Sequence, residues 1–306
     1  MSSAATARQA TGLKTRWTAE VALAVVALVW GATFVMVKRA LADISTMYFL
    51  AMRFALASVC MLLMFLPAFQ RVSRFAIWQG LRGGIFAGVF LWAGYVLQSF
   101  GLKYTSAGNS GFLTGLYIVL VPLIGAAVYR RRPQRRELTG ILIATAGMIV
   151  MTMHGLETRF LMNRGDALTL GCAFAFACHL LVLGYFSQRE FFPAVALGQI
   201  ACTAVLSTAS LFIERPTAYW SPAVTWAIGV TALLATAVAF ALQTWAQQYT
   251  TATRTALIFA LEPVFALGVA VMAGGERLSL AAVAGGVLIL AGILAVELGP
   301  KVETPR

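Results

Sequence analysis

The sequence predicts an all-α polytopic membrane protein of ten transmembrane helices, arranged as two inverted five-helix repeats. Three observations predict it. Of the 306 residues, 60% are hydrophobic and 11% charged, whereas a soluble domain carries about a quarter charged residues. Apolar runs of the length that crosses a bilayer, about 20 residues each, follow one another along the chain with short polar gaps between them. The second half of the chain also matches the first at a nearly constant spacing.

The runs place helices near 20–38, 46–66, 78–102, 107–128, 137–153, 166–187, 193–213, 222–245, 252–273 and 278–297. All are helices because lipid offers no partner to unpaired backbone groups, and no alternating barrel pattern is present. Five spans fall in each half, so the organisation reads as an N-terminal tail (1–19), a first repeat (20–153), a linker (154–165), a second repeat (166–297) and a C-terminal tail (298–306). Arg8, Lys14 and Arg16 precede the first run, and Ala40-Leu41-Ala42 imitates a signal-peptidase site. The run from Val21 to Val37 nevertheless exceeds the roughly 7 to 15 residues of a signal core, and cleavage would spoil the repeat.

Net charge is +12, but in a membrane chain basic residues first report orientation. Lys and Arg outside the spans are twice as numerous in the two tails and even-numbered loops as in the odd-numbered loops. Both termini are therefore expected in the cytoplasm and the 154–165 linker outside. The cluster Arg130-Arg131-Arg132-Pro133-Gln134-Arg135-Arg136 is read as a topology anchor rather than a nucleic-acid patch, so no nucleic-acid partner is expected. Cys60, Cys172, Cys178 and Cys202 lie in apolar runs, where a thiol acts as a small hydrophobe.

The repeat is specific. Leu97 falls on Leu242, Gln98 on Gln243, Tyr104 on Tyr249, Thr105 on Thr250, Gly140 on Gly285 and Gly147 on Gly292, each 145 positions apart, while Glu20 falls on Asp166 and Trp30 on Phe176 at 146. Because five is odd, the second copy enters the membrane from the opposite side. Two halves so related can exchange conformations around a central site, which is the basis of alternating access.

Trp30-Gly31-Ala32-Thr33-Phe34, Arg53-Phe54, the stretch from Gly111 to Pro122, Glu262-Pro263-Val264-Phe265, Gly275-Glu276-Arg277-Leu278 and the stretch from Gly285 to Gly292 together resemble the ten-helix EamA-type branch of the drug/metabolite transporter superfamily. The resemblance spans residues 20–297. It implies a bacterial inner-membrane carrier of small metabolites, often an exporter of amino acids or related compounds, with a cavity formed mainly by spans 1, 3, 4, 6, 8 and 9. On those spans the candidate lining residues are Trp30, Thr33 and Phe34, Tyr95 and Gln98, Phe112 and Tyr117, His179, Gln243 and Trp245, and Thr255 and Phe259. Aromatic rings supply contact area and cation–π faces, and amides and hydroxyls orient polar groups. Each has an alternative in helix packing or in interhelical hydrogen bonding.

Ionisable groups at membrane depth are costly, which makes them functional candidates. Glu262 lies about 15 Å into span 9, beside Pro263, whose missing donor frees a backbone carbonyl. It either serves binding or coupling, or it supports the helix kink. Arg53 lies about 12 Å into span 2. It can hold a substrate carboxylate or act as a brace against Glu262 or backbone carbonyls, and with spans 2 and 7 expected outside the lining the brace is favoured. His179, the repeat mate of Thr33, has an ordinary pKa near 6.5 that suits proton exchange, or it is a satisfied interior histidine.

Enzyme readings fare worse than transport. Gly108-Asn109-Ser110-Gly111 has the form of the motif of rhomboid-type proteases, but Ser110 and His179 lie at different depths. His154 and His179 are too few for a metal cluster, no lysine lies at membrane depth for a retinal, and no phosphate-binding glycine pattern occurs. No cofactor or metal is expected. The partners are a small-molecule substrate and membrane lipids, a monomer is compatible with the design, and a lipid or lipophilic-drug flippase is the alternative on the same architecture.

Overall fold

The computed structural model describes residues 2–105, 107–130, 134–152, 163–212, 214–272 and 279–297. Nearly all of these are helical: α1 (Ser2–Ala40), α2 (Thr46–Phe69), α3 (Arg74–Gly101), α4 (Ala107–Gly115), α5 (Tyr117–Tyr129), α6 (Arg135–Thr152), α7 (Arg164–Ser187), α8 (Phe192–Ala209), α9 (Pro222–Ala232), α10 (Ala239–Ala246), α11 (Ala252–Phe259), α12 (Glu262–Met272) and α13 (Leu280–Glu297). No strand occurs among the described residues; Ile44 and Ala218 form an isolated bridge. The side chain of Phe34, His154, residues 131–133 and residues 275–278 lie outside the described set.

Eight helical stretches among the described residues are long and apolar enough to cross a membrane. The fifth and tenth expected spans are α6, which opens on Arg135, Arg136 and Glu137, and α13, which is apolar but shorter. The helices start where side chains satisfy orphan donors: Ser73 accepts from the Ala76 N–H, Ser221 from Val224 and Thr251 from Arg254, and Asn163 forms a reciprocal capping box with Asp166. Large apolar side chains such as Leu63, Leu142, Val205 and Trp226 are more than half exposed. Such a surface suits acyl chains rather than water.

Three spans read as continuous helices are interrupted. Span 4 breaks between α4 and α5 at Leu116, span 9 breaks between α11 and α12 at Ala260–Leu261, and span 8 passes through a π-helical turn, Leu233–Val238, between α9 and α10. The breaks in spans 4 and 9 are repeat mates, yet Pro263 follows only the second. Proline therefore does not cause the break; at the second position of α12 it costs little, because first-turn N–H groups have no intrahelical partner. Gly31 on α1 abuts that break: a Cβ there would lie 2.7 Å from the Glu262 carbonyl oxygen.

Packing follows the repeat. α3 runs against α7 and α8, α2 against α8, and α1 against α10 and α12. α6 and α13 form a seam in which backbones touch. A Cβ on Gly147 would lie 2.6 Å from the Gly285 carbonyl oxygen and one on Gly285 2.5 Å from that of Gly147, with the same reciprocal approach between Gly140 and Gly292. Only glycine permits this contact. One apolar cluster, including Leu23, Ala27, Ile118, Val121, Leu257 and Ile258, fills the end of the molecule nearer the chain termini. A second, including Phe49, Phe54, Met61, Leu91, Ile200 and Phe240, joins α2, α3, α8 and span 8.

Candidate functional site

Between the clusters lies a cavity of about 140 Å³. Its wall is set by helical spacing: Trp30, Thr33 and Val37 share one face of α1, Leu91, Tyr95, Gln98 and Leu102 one face of α3 and its C-terminal end, and Phe176, His179 and Leu180 one face of α7. α10 contributes Phe240 and Gln243. The two broken spans contribute Thr114 with Tyr117 and Phe259 with Glu262, each pair straddling its break. The lining extends to Leu41 and Leu102 at helix ends, on the face opposite the termini.

Most of the wall is built from repeat mates. Trp30 and Phe176, Thr33 and His179, Tyr95 and Phe240, Gln98 and Gln243, Thr114 and Phe259, and Tyr117 and Glu262 all line the cavity. The space therefore straddles the pseudo-twofold relation between the halves. One departure from the pairing corrects a sequence expectation: Phe49, Leu50 and Arg53 of α2 also line it, whereas their mates on α8 do not. Span 2 is part of the wall because α1 and span 8 leave its face open there.

The aromatic rings interlock. Trp30 meets Phe240 at 5.4 Å and Phe259 at 4.9 Å between ring centroids, and Tyr95 meets Phe54 at 5.1 Å and Phe176 at 5.6 Å. Such tilted and edge contacts hold rings in fixed orientations. Arg53 is 5% exposed. Its Nε donates to Thr236 Oγ1 at 2.7 Å, and its Nη2 donates to the Ala235 carbonyl at 3.2 Å and to Tyr95 Oη at 3.4 Å, while the guanidinium lies 5.2 Å from the Tyr95 ring centroid. Among the described residues it forms no ion pair, so of the two braces considered the backbone carbonyl is present and Glu262 is not.

Glu262 makes no side-chain hydrogen bond or ion pair with any described residue, so its carboxylate does not tie down the break beside Pro263. Gln98 Nε2 donates to Thr114 Oγ1 at 3.3 Å, whereas the buried Gln243 Oε1 has no partner. His179 Nε2 lies 2.7 Å from Gln199 Oε1; since that oxygen only accepts, Nε2 carries the proton. Gln199 Nε2 donates onward to Thr244 Oγ1 at 2.9 Å, which donates to the Phe240 carbonyl at 2.6 Å. His179 makes no hydrogen bond to the buried Ser110.

Three candidates lie in packing rather than on the wall. Phe112, two residues before Thr114 on α4, is turned away from the wall by helix phase and packs on the apolar core. Trp245, two residues past Gln243, is turned roughly 200° away from it and meets Tyr249 at 5.5 Å. Thr255, one turn before Phe259 toward the closed end, is fully buried and donates to the Thr251 carbonyl at 3.0 Å. Phe176, Phe240 and Thr114 were missed. Phe176 and Phe240 each lie three residues before a polar candidate on the same helix face, and Phe176 is the mate of Trp30, so the signal for both was present.

Residues 17–153 and 163–298 each match the EamA-like transporter family. The chain belongs to that family. It is a multi-pass membrane protein, and an uncharacterized transporter of Archaeoglobus fulgidus is 34% identical over 291 residues, covering 94% of this chain and 88% of the relative. A probable amino-acid metabolite efflux pump of Salmonella typhimurium is 27% identical over 303 residues, covering 91% and 94% respectively. A solved crystal structure gives a TM-score of 0.76 at 18% identity, covering 92% of this chain and 98% of that one, which supports the fold alone. In this EamA-like transporter the cavity sits where the two matched segments meet, with an acid and a guanidinium in its wall.

Proposed function

We propose that the protein exports small zwitterionic metabolites, amino acids or related compounds, across a bacterial inner membrane by alternating access through this cavity. One observation carries the reading: Arg53 and Glu262 face a single cavity, and neither has a partner of opposite charge. A zwitterion supplies both, its carboxylate to the guanidinium and its amine to Glu262. The unpartnered Gln243 Oε1 accepts a further amine hydrogen, and the Trp30, Phe176, Phe240 and Phe259 rings receive an apolar side chain. A volume of about 140 Å³ is below the roughly 300–1,000 Å³ of drug-sized sites, which favours a metabolite over a lipid. The name of the Salmonella relative points the same way.

With both termini cytoplasmic, the cavity opens outward and the cluster around Leu23, Val121 and Leu257 closes the inner side. Reporter fusions are expected to place residue 134 in the cytoplasm; an external tag there would reverse the orientation. The substrate is tested in proteoliposomes with radiolabelled amino acids, alongside analogues lacking either the amine or the carboxylate. Movement of a zwitterion but of neither analogue is expected. Failure of every amino acid together with movement of labelled phospholipid would replace the reading with a flippase.

A further inference from the structure

Span 8 changes its helical pitch in mid-course. α9 is followed by the π turn Leu233–Val238, and the α-helix resumes at Ala239. A π turn holds one residue more than the α-helical segment it interrupts, and such turns concentrate at functional sites. Nothing in the local sequence, Leu-Leu-Ala-Thr-Ala-Val, explains it, since the turn contains neither proline nor glycine. What distinguishes the segment is tertiary: the Ala235 carbonyl accepts from Trp30 Nε1 at 2.9 Å and from Arg53 Nη2 at 3.2 Å, and Thr236 Oγ1 accepts from Arg53 Nε at 2.7 Å. A side chain inserted into the carbonyl ladder is a recognised cause of such departures from α geometry.

Both donors also line the cavity. The repeat mate of this segment, residues 88–93, lies in the uninterrupted α3, so the irregular turn has no counterpart in the first half, which instead supplies the cation that grips it.

We propose that the π turn is the joint at which span 8 moves during transport, and that Arg53 is the positioning residue that sets its state. In the structure the guanidinium holds Ala235 and Thr236. A carboxylate entering the cavity competes for the same N–H donors, because it brings a full negative charge and can take two guanidinium N–H groups as a bidentate pair, which a carbonyl and a hydroxyl oxygen do not match. Filling the cavity therefore loosens the turn, and occupation and movement become one event. The proposal rests on the cavity being the transport site and adds the mechanical element and its trigger.

The test uses the full-length chain in nanodiscs and needs no known substrate. Amide hydrogen exchange across 233–238 reports the turn, and the distance between spin labels at Trp226 and Val59, in a background with the four cysteines replaced, reports the position of α9 relative to α2. Arg53→Met is expected to change exchange at 233–238 by tenfold or more and to add a second distance population. Gln199→Met, which breaks the buried network at the repeat-matched position and touches span 8 only at Thr244, is expected to leave those amides unchanged. Arg53→Lys keeps the charge but cannot reach Ala235 and Thr236 together, so it is expected to behave like Arg53→Met and serves if that variant does not fold. Acetate, compared with chloride at equal ionic strength, is expected to speed exchange at 233–238 in the wild type and not in Arg53→Met. Unchanged exchange and distance in both Arg53 variants would overturn the joint, and an acetate-insensitive wild type would overturn the trigger. A joint that responds in a protein moving no amino acid would leave the joint intact and fault only the substrate.

Discussion

Arg53 and Gln199 occupy matching places in the two halves and do different work. Gln199 is fully buried, and both ends of its amide are engaged, one with His179 and the other with Thr244. Around it α3 and α8 press together so closely that a Cβ at Gly88 would lie 2.7 Å from the Gln199 carbonyl oxygen. Arg53 is also buried, but it is charged, lacks an anion, and grips a stretch of span 8 that is not regular helix. A neutral network with every group satisfied is a fixed strut, because any movement leaves an orphaned polar atom in a low-dielectric interior. A buried cation without a counter-ion is costly by several kcal/mol, and that cost is recovered only when an anion arrives. The same span 8 is thus held rigidly at Thr244 by Gln199 of its own half and responsively at Ala235 and Thr236 by Arg53 of the other half.

The contrast can be broken most severely by Gln199→Arg, which sets a second uncompensated cation at a fully buried position that does not itself line the cavity. Loss of folded protein is expected, read as absence of a monodisperse peak in detergent, since a buried unpaired charge costs about 3–5 kcal/mol. A well-folded Gln199→Arg protein would show that the strut is less closed than its contacts indicate. Arg53→Gln makes the halves alike in the opposite sense. Substrate flux is expected to fall about 100-fold, roughly the 2.7 kcal/mol of a lost charge-assisted contact, while thermal stability in detergent stays the same or rises because a desolvated ion has gone. A fall in stability that accounts for the lost flux would make Arg53 a brace alone.

Glu262→Gln sharpens the second asymmetry, since the mate of Glu262 is Tyr117. The variant keeps shape and most hydrogen-bonding ability but removes the charge, so flux is expected to fall about tenfold, near 1.4 kcal/mol, and any pH dependence of transport to disappear. Wild-type flux with an unchanged pH profile would remove Glu262 from the mechanism. The smallest expected effect on flux lies where the halves agree. Gly147→Ala and Gly285→Ala should each destabilise the protein by a similar amount, about 1–3 kcal/mol of overpacking, seen as matching drops in melting temperature with flux per folded molecule retained. Unequal drops would show the seam to be less symmetric than its geometry.

Spans, repeat and family were legible because they depend on features that survive without tertiary detail: the length of apolar runs and the constant spacing between paired residues. Much of the cavity wall was legible for the same reason, since Trp30 with Thr33, and Tyr95 with Gln98, declare a face by spacing alone. The irregularities were not. The break at Leu116 has no proline, and the π turn arises from donors on α1 and α2 that are distant in sequence. Arg53 was assigned outside the lining because membership of a wall depends on what neighbouring helices leave uncovered. Trp245 and Phe112 show the converse: an aromatic on the right span still faces the wrong way when helix phase rotates it.

The seam between α6 and α13 is itself symmetric. Gly140 meets Gly292 and Gly147 meets Gly285, and Gly285 and Gly292 are the mates of Gly140 and Gly147. Each position therefore touches the counterpart of its partner, the isologous pattern of a closed twofold homodimer. A single half carries both surfaces of that interface within itself. The covalent link between the halves thus joins two bodies that fit at this seam as copies of one another would.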